Sequence, residues 1–389
     1  MTGSGDDDRP PSGWERNVKA ITIAAALLVG LWLLPDVGPP PGVEQPVELA
    51  RGHIEAFIPD TDDPTIPDVV IRVESGPRAG ELLEGYLQGP GGQQDVPRYV
   101  LGDEVVVSLA QGPDTVYVAV SDRYRVPLFL GLVGLFALAV IAVGGWRGLR
   151  SLLALALTLG VVAKIVVPLL LAGWEPVPLA VAAGTAVTLA TILLTEGVRP
   201  SSLAAVGGTF ASLALTAGLA AGVNALAQFT QYQGSEAAVF LQSMGLSTID
   251  LSGLLLAAVI FGALGVLDDV TVTQAATVHE LVAADPGASD RTIMARAMNV
   301  GRSHIAATVN TLVLAYLGAS LPLIVLFAAG GADPLLIASG EAVAVEIVRA
   351  LVGSIGIVAA VPFTTAVAVF AVRSRRLGRA PSGSEVGPL

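Results

Sequence analysis

The residues LSGLLLAAVIFGALGVLDDVTVTQAATVHEL, from Leu251 to Leu281, and MNVGRSHIAATVNTLVLAYLGASLPLIVL, from Met298 to Leu326, decide how the chain is read. Each holds an apolar run close to the ~20 residues that an α-helix needs to cross a bilayer. Polar residues collect where the two runs face one another. A plain span would end at Leu267, but here the adjacent carboxylates Asp268 and Asp269 follow. Counting from Leu251 at about 1.5 Å per residue places Asp268 about 25 Å down a hydrocarbon layer about 30 Å thick, so the pair is shallowly buried. Helical spacing puts Asp269, Thr273, Ala276 and Glu280 on one face, with Asp268, Thr271 and Ala275 ~100° round, and the helix is expected to continue past the membrane surface.

Two neighbouring carboxylates in a poorly hydrated place cannot comfortably both carry charge, which predicts a site that exchanges a proton or binds a cation. The alternative is that both merely end the span and meet Arg296, Arg302 or water. In the second run His304, Thr308 and Thr311 form one stripe while Asn310 points elsewhere. Such stripes line a path in some proteins and in others only hydrogen-bond neighbouring helices. Pro322 removes a backbone bond to Gly318 and predicts a kink. Lys164, near the middle of LTLGVVAKIVVPLLL, is a costly residue there. It either lines a polar interior, with Asn224, Thr311 or a carbonyl as partner, or snorkels to a boundary.

Composition sets the class. Of 389 residues 53% are hydrophobic and 14% charged, whereas a soluble chain carries about a quarter charged residues, so this is a polytopic membrane protein. The net charge of −12 is uneven, with acids gathered in one segment and arginines in others. The absence of cysteine excludes disulfides, thiolate nucleophiles and cysteine metal sites. The three histidines, His53, His279 and His304, fall in different segments, so no metal site and no cofactor is expected. No phosphate-binding Gly-rich loop with Lys-Ser/Thr occurs, and nothing suggests a nucleic-acid surface. Intramembrane aspartyl proteolysis needs a second acid at matching depth; Asp250, Glu175 and Glu196 sit at helix ends, and no enzymatic activity is expected.

Taken in order, residues 1–17 read as a disordered cytoplasmic tail with an Asp run at Asp6 to Asp8. Arg16 and Lys19 flank an anchor helix over 18–34; Leu34-Pro35-Asp36 offers no small-residue cleavage site, which favours an uncleaved anchor over a signal peptide. Residues 35–125 are a different material, in which acids outnumber arginines more than twofold and lysine is absent. Short Val-rich runs, Val69 to Val73, Tyr99 to Leu101, Val105 to Leu109 and Thr115 to Val120, separated by Gly-Pro turn signals, predict a small extracytoplasmic β-rich domain. Its acidity reads as surface solvation; Asp60, Asp62, Asp63 and Asp68 lack the spacing of a calcium loop.

The membrane domain over 126–372 is expected to hold seven spans: Val126 to Val143, Leu152 to Leu171, Val177 to Leu194, Leu203 to Leu226, Leu251 to Leu267, Ile305 to Leu326 and Leu351 to Val372. Arginines test the count. Arg147, Arg150, Arg199, Arg291, Arg296, Arg302 and the basic cytoplasmic tail over 373–389 all fall on one side, and between the spans only Arg349 falls on the other. By the positive-inside rule both termini are cytoplasmic. Two outer loops, Thr230 to Asp250 and Pro334 to Ala350, each offer a short interfacial helix. No convincing internal repeat is visible.

FGALGVLDDVTVTQAATVHEL (Phe261 to Leu281), NVGRSHIAATVNTLVLAYLGASLPL (Asn299 to Leu323) and GGWRGLR (Gly144 to Arg150) together resemble the YibE/F-like family of bacterial integral membrane proteins, over roughly Tyr117 to Val372. The resemblance implies an anchor, an exterior domain and a multi-span bundle in a protein sometimes described as a transporter. Where the family turn more often has Gly-Arg-Asp-His, this chain has Gly301-Arg302-Ser303-His304, which makes Asp268 and Asp269 the expected partners of Arg302.

The fold expected is thus an all-α polytopic bundle, an N-terminal anchor plus seven spans, with a small extracytoplasmic β-rich domain in the bacterial cytoplasmic membrane. The leading functional expectation is an ion-coupled secondary transporter or exporter of a small solute or ion. Its ion or proton pathway comprises Asp268, Asp269, Thr273, Lys164, Asn310, Thr311 and His304, with Arg302 and Glu280 as inner-face charge partners. The second expectation is a non-transporting envelope scaffold whose exterior domain binds a partner while the bundle anchors it in the lipid bilayer. The sequence leaves the oligomeric state open.

Overall fold

A computed structural model describes residues 13–35, 48–58, 68–87, 99–111, 116–197, 199–229, 250–331 and 333–378. The chain forms two compact units, residues 41–140 and residues 1–40 with 141–389.

The smaller unit contains a closed barrel of β1 (Glu48–Phe57), β2 (Val69–Val73), β3 (Leu82–Leu87), β4 (Glu104–Gln111) and β5 (Val116–Arg123). Its order is β1-β2-β3-β5-β4, antiparallel throughout except for the β3–β5 pair, an arrangement like that of OB-type barrels. Period-two alternation fills the interior with Ile54, Val69, Ile71, Val73, Val105, Val107, Val118 and Val120. β2 has the expected bounds, and β4 and β5 lengthen expected runs. Tyr99 to Leu101 is not a strand; Tyr99 instead closes the core from a turn. β1 and β3 escape the sequence reading because Ala50, Gly52 and Gly85 point inward where larger β-formers would announce a strand. Gly52 is required there, since a Cβ would lie 2.8 Å from the Arg72 carbonyl oxygen.

Outside the barrel, acids and bases alternate as a lattice. Arg51 Nε meets Glu74 at 2.5 Å, His53 reaches Glu74 through Nδ1 and Glu55 through Nε2, each at 2.9 Å, and Arg72 Nε meets Glu55 at 2.6 Å. One neutral tautomer of His53 can donate to only one of its two carboxylates. The Arg51 guanidinium, then His53, holds the Glu74 carboxyl below its ordinary range; Arg72, then His53, does the same for Glu55.

The larger unit is helical. Its helices are α1 (Gly13–Leu33), α2 (Val126–Val161), α3 (Val167–Leu171), α4 (Pro176–Thr195), α5 (Pro200–Ala227), α6 (Leu251–Ala284), α7 (Asp290–Ala319), α8 (Leu321–Ala329), α9 (Pro334–Ser339) and α10 (Glu341–Gly378); α2 begins within the other unit. Six helical stretches among the described residues are long and apolar enough to cross a membrane. The first, Val126–Leu171, is 46 residues, about 69 Å at 1.5 Å per residue and more than twice a bilayer core. The sequence divides it into two spans, and the structure breaks it where the division falls, at Gly145 with φ 53° and ψ −132°. The apolar part of α1 is shorter, Ala20–Leu33, yet α1 is more than a tether: Ala24 packs with Leu157 of α2 and Leu194 of α4.

Between α2 and α3 a π-helical turn spans Val162–Val166 and carries Lys164. Pro168 has no N–H to return to the Lys164 carbonyl, and the helix absorbs the lost bond as a π bulge. Near Pro322 the helix is interrupted at the single residue Ser320, between α7, which ends at Ala319, and α8, which starts at Leu321. The interfacial helix expected over Pro334 to Ala350 reduces to α9, and Glu341 onward already belongs to α10. The one expected over Thr230 to Asp250 lies outside the described residues. Gly301-Arg302-Ser303-His304 is no turn. It lies within α7, whose true start is the Ser289 cap that accepts from Thr292 N.

α5, α6 and α10 pack pairwise, flanked by α4 and α7. The α5–α10 contact is antiparallel and reciprocal: Gly208 faces Thr364, and Gly356 faces Thr216. Glycine on each helix admits the partner's threonine, as close helix approach in membranes requires. Gln274 of α6 ties the next layer, donating to the Ala297 carbonyl of α7 at 3.0 Å and to Thr365 of α10 at 2.7 Å, while Gly301 leaves room for its amide.

Gly208→Ala and Gly356→Ala should each destabilise the folded protein by about 1–3 kcal/mol through overpacking, read as a lower thermal midpoint in detergent. Pairing Gly356→Ala with Thr216→Ala, which removes the hydroxyl nearest the new methyl and leaves the Thr216 Cβ position 3.3 Å away, should recover part of the loss, and equal destabilisation by single and double variants would refute the contact. For the barrel, a depressed folded-state carboxyl contributes stability above its ordinary range that is lost as pH falls through the folded value. Amide-exchange protection of residues 48–57 and 69–73, corrected for intrinsic rate, should therefore fall on acidification, and Glu74→Gln should flatten that dependence.

Candidate functional site

α6 carries Asp268 and Asp269 in continuous helix, so their side chains diverge by ~100°. Asp269 turns outward and is 76% exposed, with His304 Nε2 of α7 3.8 Å from its Oδ2. Asp268 turns toward α4. Thr188 donates to its Oδ1 at 2.5 Å, and Thr191 lies 3.2 Å from its Oδ2. Among the described residues no cation lies within ion-pair distance of Asp268, although a charge inside a span ordinarily has such a partner. The site is therefore a single carboxylate held by two hydroxyls from the neighbouring helix.

One turn along α6 from Asp268 is Val272, and one turn along α4 from Thr188 is Ile192; both line a cavity of about 200 Å³. Its remaining wall includes Glu196 of α4, Arg199 and Ser201 at the start of α5, and Ala276, His279 and Glu280 of α6. The cavity is thus polar where Glu196, Arg199, His279 and Glu280 line it, and it stops one turn short of Asp268, Thr188 and Thr191, at Ile192 and Val272. On the other side of Asp268 the polar seam continues: Thr271 shares a hydrogen bond with Thr209 of α5 at 2.9 Å, and both are fully buried.

The other sequence-predicted residues scatter. Thr273 is exposed on the Asp269 side of α6. Asn310 and Thr311 are exposed on α7, and Thr311 bonds back to the Ala307 carbonyl. Lys164 is half-buried in the π turn. Asn224 donates to Ser252 at 2.6 Å. Arg302 is exposed and donates to Asn299 one turn back, so it does not take the carboxylate partners expected of it; Arg296 pairs with Asp285. Glu280 belongs to the cavity mouth and not to an ion pair with Arg302. Asp68 accepts from the Leu87 amide, and the described residues contain no cluster suited to a metal ion. Sequence reasoning missed Thr188, Thr191, Thr209 and Gln274. The available signal was the i, i+3, i+7 row Thr188-Thr191-Thr195 on a span with no other polar residue between Thr185 and Thr195.

No curated protein matches the chain, and no solved structure does. A family model described as YibE/F-like protein matches residues 132–374, which spans the helical unit from α2 to α10 and contains Asp268, its two threonines and the cavity. With more than half of its length matched, this chain belongs to the YibE/F-like family of membrane proteins.

Proposed function

We propose that the chain is an ion-coupled secondary transporter or exporter of the bacterial cytoplasmic membrane, with Asp268 as its ion-carrying group. The observation that carries the proposal is the Asp268 carboxylate turned toward α4 and held by the Thr188 and Thr191 hydroxyls, with no cation in ion-pair distance among the described residues and a partly polar cavity beginning one helical turn away. A structural carboxylate has no use for such a setting, because a buried charge lacking a partner costs several kcal/mol (roughly 3 or more at a helix centre). A group that is loaded and unloaded does have that use. The segregation of arginines supports an orientation with both termini and the cavity mouth cytoplasmic and the barrel outside. In this reading the chain is a carrier and not an enzyme. Asp269 and His304 lie at the exposed flank and take no part in loading.

The charged lattice on the barrel supports the second reading, an envelope protein whose exterior domain docks a partner. The two readings separate by substitution. In sealed proteoliposomes under an imposed pH or sodium gradient, Asp268→Asn should reduce protein-dependent ion flux to the level of protein-free vesicles, while Asp269→Asn should leave it near that of the unmodified protein. Both variants should elute as folded protein on size exclusion. Flux that survives Asp268→Asn would remove the carrier reading.

A further inference from the structure

Thr191 has one hydrogen and two acceptors for it. Its Oγ1 lies 3.2 Å from Asp268 Oδ2 and 3.1 Å from the carbonyl oxygen of Thr188, in its own helix. A hydroxyl donates once and accepts up to twice, so the same heavy-atom positions satisfy two different proton counts. With Asp268 ionised, Thr188 donates to Oδ1 and Thr191 donates to Oδ2. With a proton on Oδ2, that new O–H donates to Thr191 Oγ1, Thr191 turns its hydrogen to the Thr188 carbonyl, and Thr188 keeps its bond to Oδ1. A proton taken up from water forms one O–H bond on Asp268, and a single hydroxyl rotates.

We propose that the ion carried by Asp268 is a proton, and that Thr191 is the positioning residue that switches its hydroxyl between the two states. This inference rests on the reading of Asp268 as the ion-carrying group. A metal cation is a poor fit, because hard cations gather about six or more oxygens, whereas Asp268 has only the Thr188 and Thr191 hydroxyls as side-chain hydrogen-bond partners. The charged groups around Asp268 leave the protonated form electrically complete. On α6, Asp269 faces away toward His304, and His279 and Glu280 sit three turns on. On α4, Glu196 lies two turns on and near Arg199 of α5, at 3.9 Å. On α7, Arg302 is engaged by Asn299; on α10, Arg373 faces Asp290; Lys164 lies in the π turn. None is within ion-pair distance of Asp268, so protonation removes a lone charge and breaks no ion pair.

The test is infrared difference spectroscopy of the full chain in liposomes, stepping the pH. The unmodified protein should show a carboxylic C=O band that appears on acidification and is lost in Asp268→Asn. Thr191→Val should move that band to higher frequency, because the protonated carboxyl loses its acceptor, and Thr191→Ser should leave it in place. Exchanging potassium for sodium at constant pH should leave the band unchanged. Loss of the band on adding sodium would overturn the proton assignment while keeping Asp268 as the ion site. No band dependent on Asp268, or a band indifferent to Thr191→Val in a protein whose Thr191→Ser control is folded, would overturn it too. Failure of the carrier reading is separate, since it shows as ion flux that persists in Asp268→Asn.

Discussion

Two helix backbones approach closely where Gly208 receives Thr364 and Gly356 receives Thr216. Little apolar driving force separates helix from lipid inside a bilayer, so such contacts, with their dispersion and hydroxyl bonding, hold a bundle together. Because α5 and α10 close on each other, the groove they make on one side accepts α6, whose buried stripe includes Ile260, Ala263, Leu264, Leu267 and Val270. The last turn of that stripe delivers Asp268 to α4. The position of the carboxylate is thus set by glycines that never touch it.

The same economy governs the polar groups. Apart from Asp268, the polar side chains inside the bundle are mostly hydroxyls and one amide, and most of these are satisfied within a helix or between helices. Thr185, Ser212, Thr216 and Thr365 bond back to the carbonyl four residues earlier. Thr188 departs from that habit by spending its hydrogen on a neighbouring helix. A threonine that leaves its own backbone for a carboxylate marks, among the described residues, a place where the packing of two helices is organised around a charge.

Much of this was legible in the residues. The 3.6-residue period separates Asp268 from Asp269, and apolar runs mark the long apolar helices, with the gap between the first two runs falling where Gly145 breaks the helix. The rest needed three dimensions. Thr188 and Thr191 look like the ordinary back-bonding threonines of an apolar helix, and only the rotation of α4 against α6 distinguishes them. Thr273, Asn310 and Thr311 read as lining a path because polarity in a span suggests that role, yet the packing of α6 and α7 leaves them exposed. β1 was hidden by the small residues that its packing requires. It pairs with β2 and β4 at once, and close passage over β2 demands Gly52, a residue that weakens a strand signal.

The reciprocal contact also has a mechanical meaning. Gly208 and Thr216 stand eight residues apart, as do Gly356 and Thr364, and in antiparallel register they exchange roles. The local contact therefore has an approximate twofold axis passing between Ser212 and Ala360, although no repeat relates the two helices in sequence. Sliding α10 along α5 by one turn, about 5.4 Å, would set both threonines against side chains at once. The pair behaves as a keyed shaft that resists axial travel in either direction.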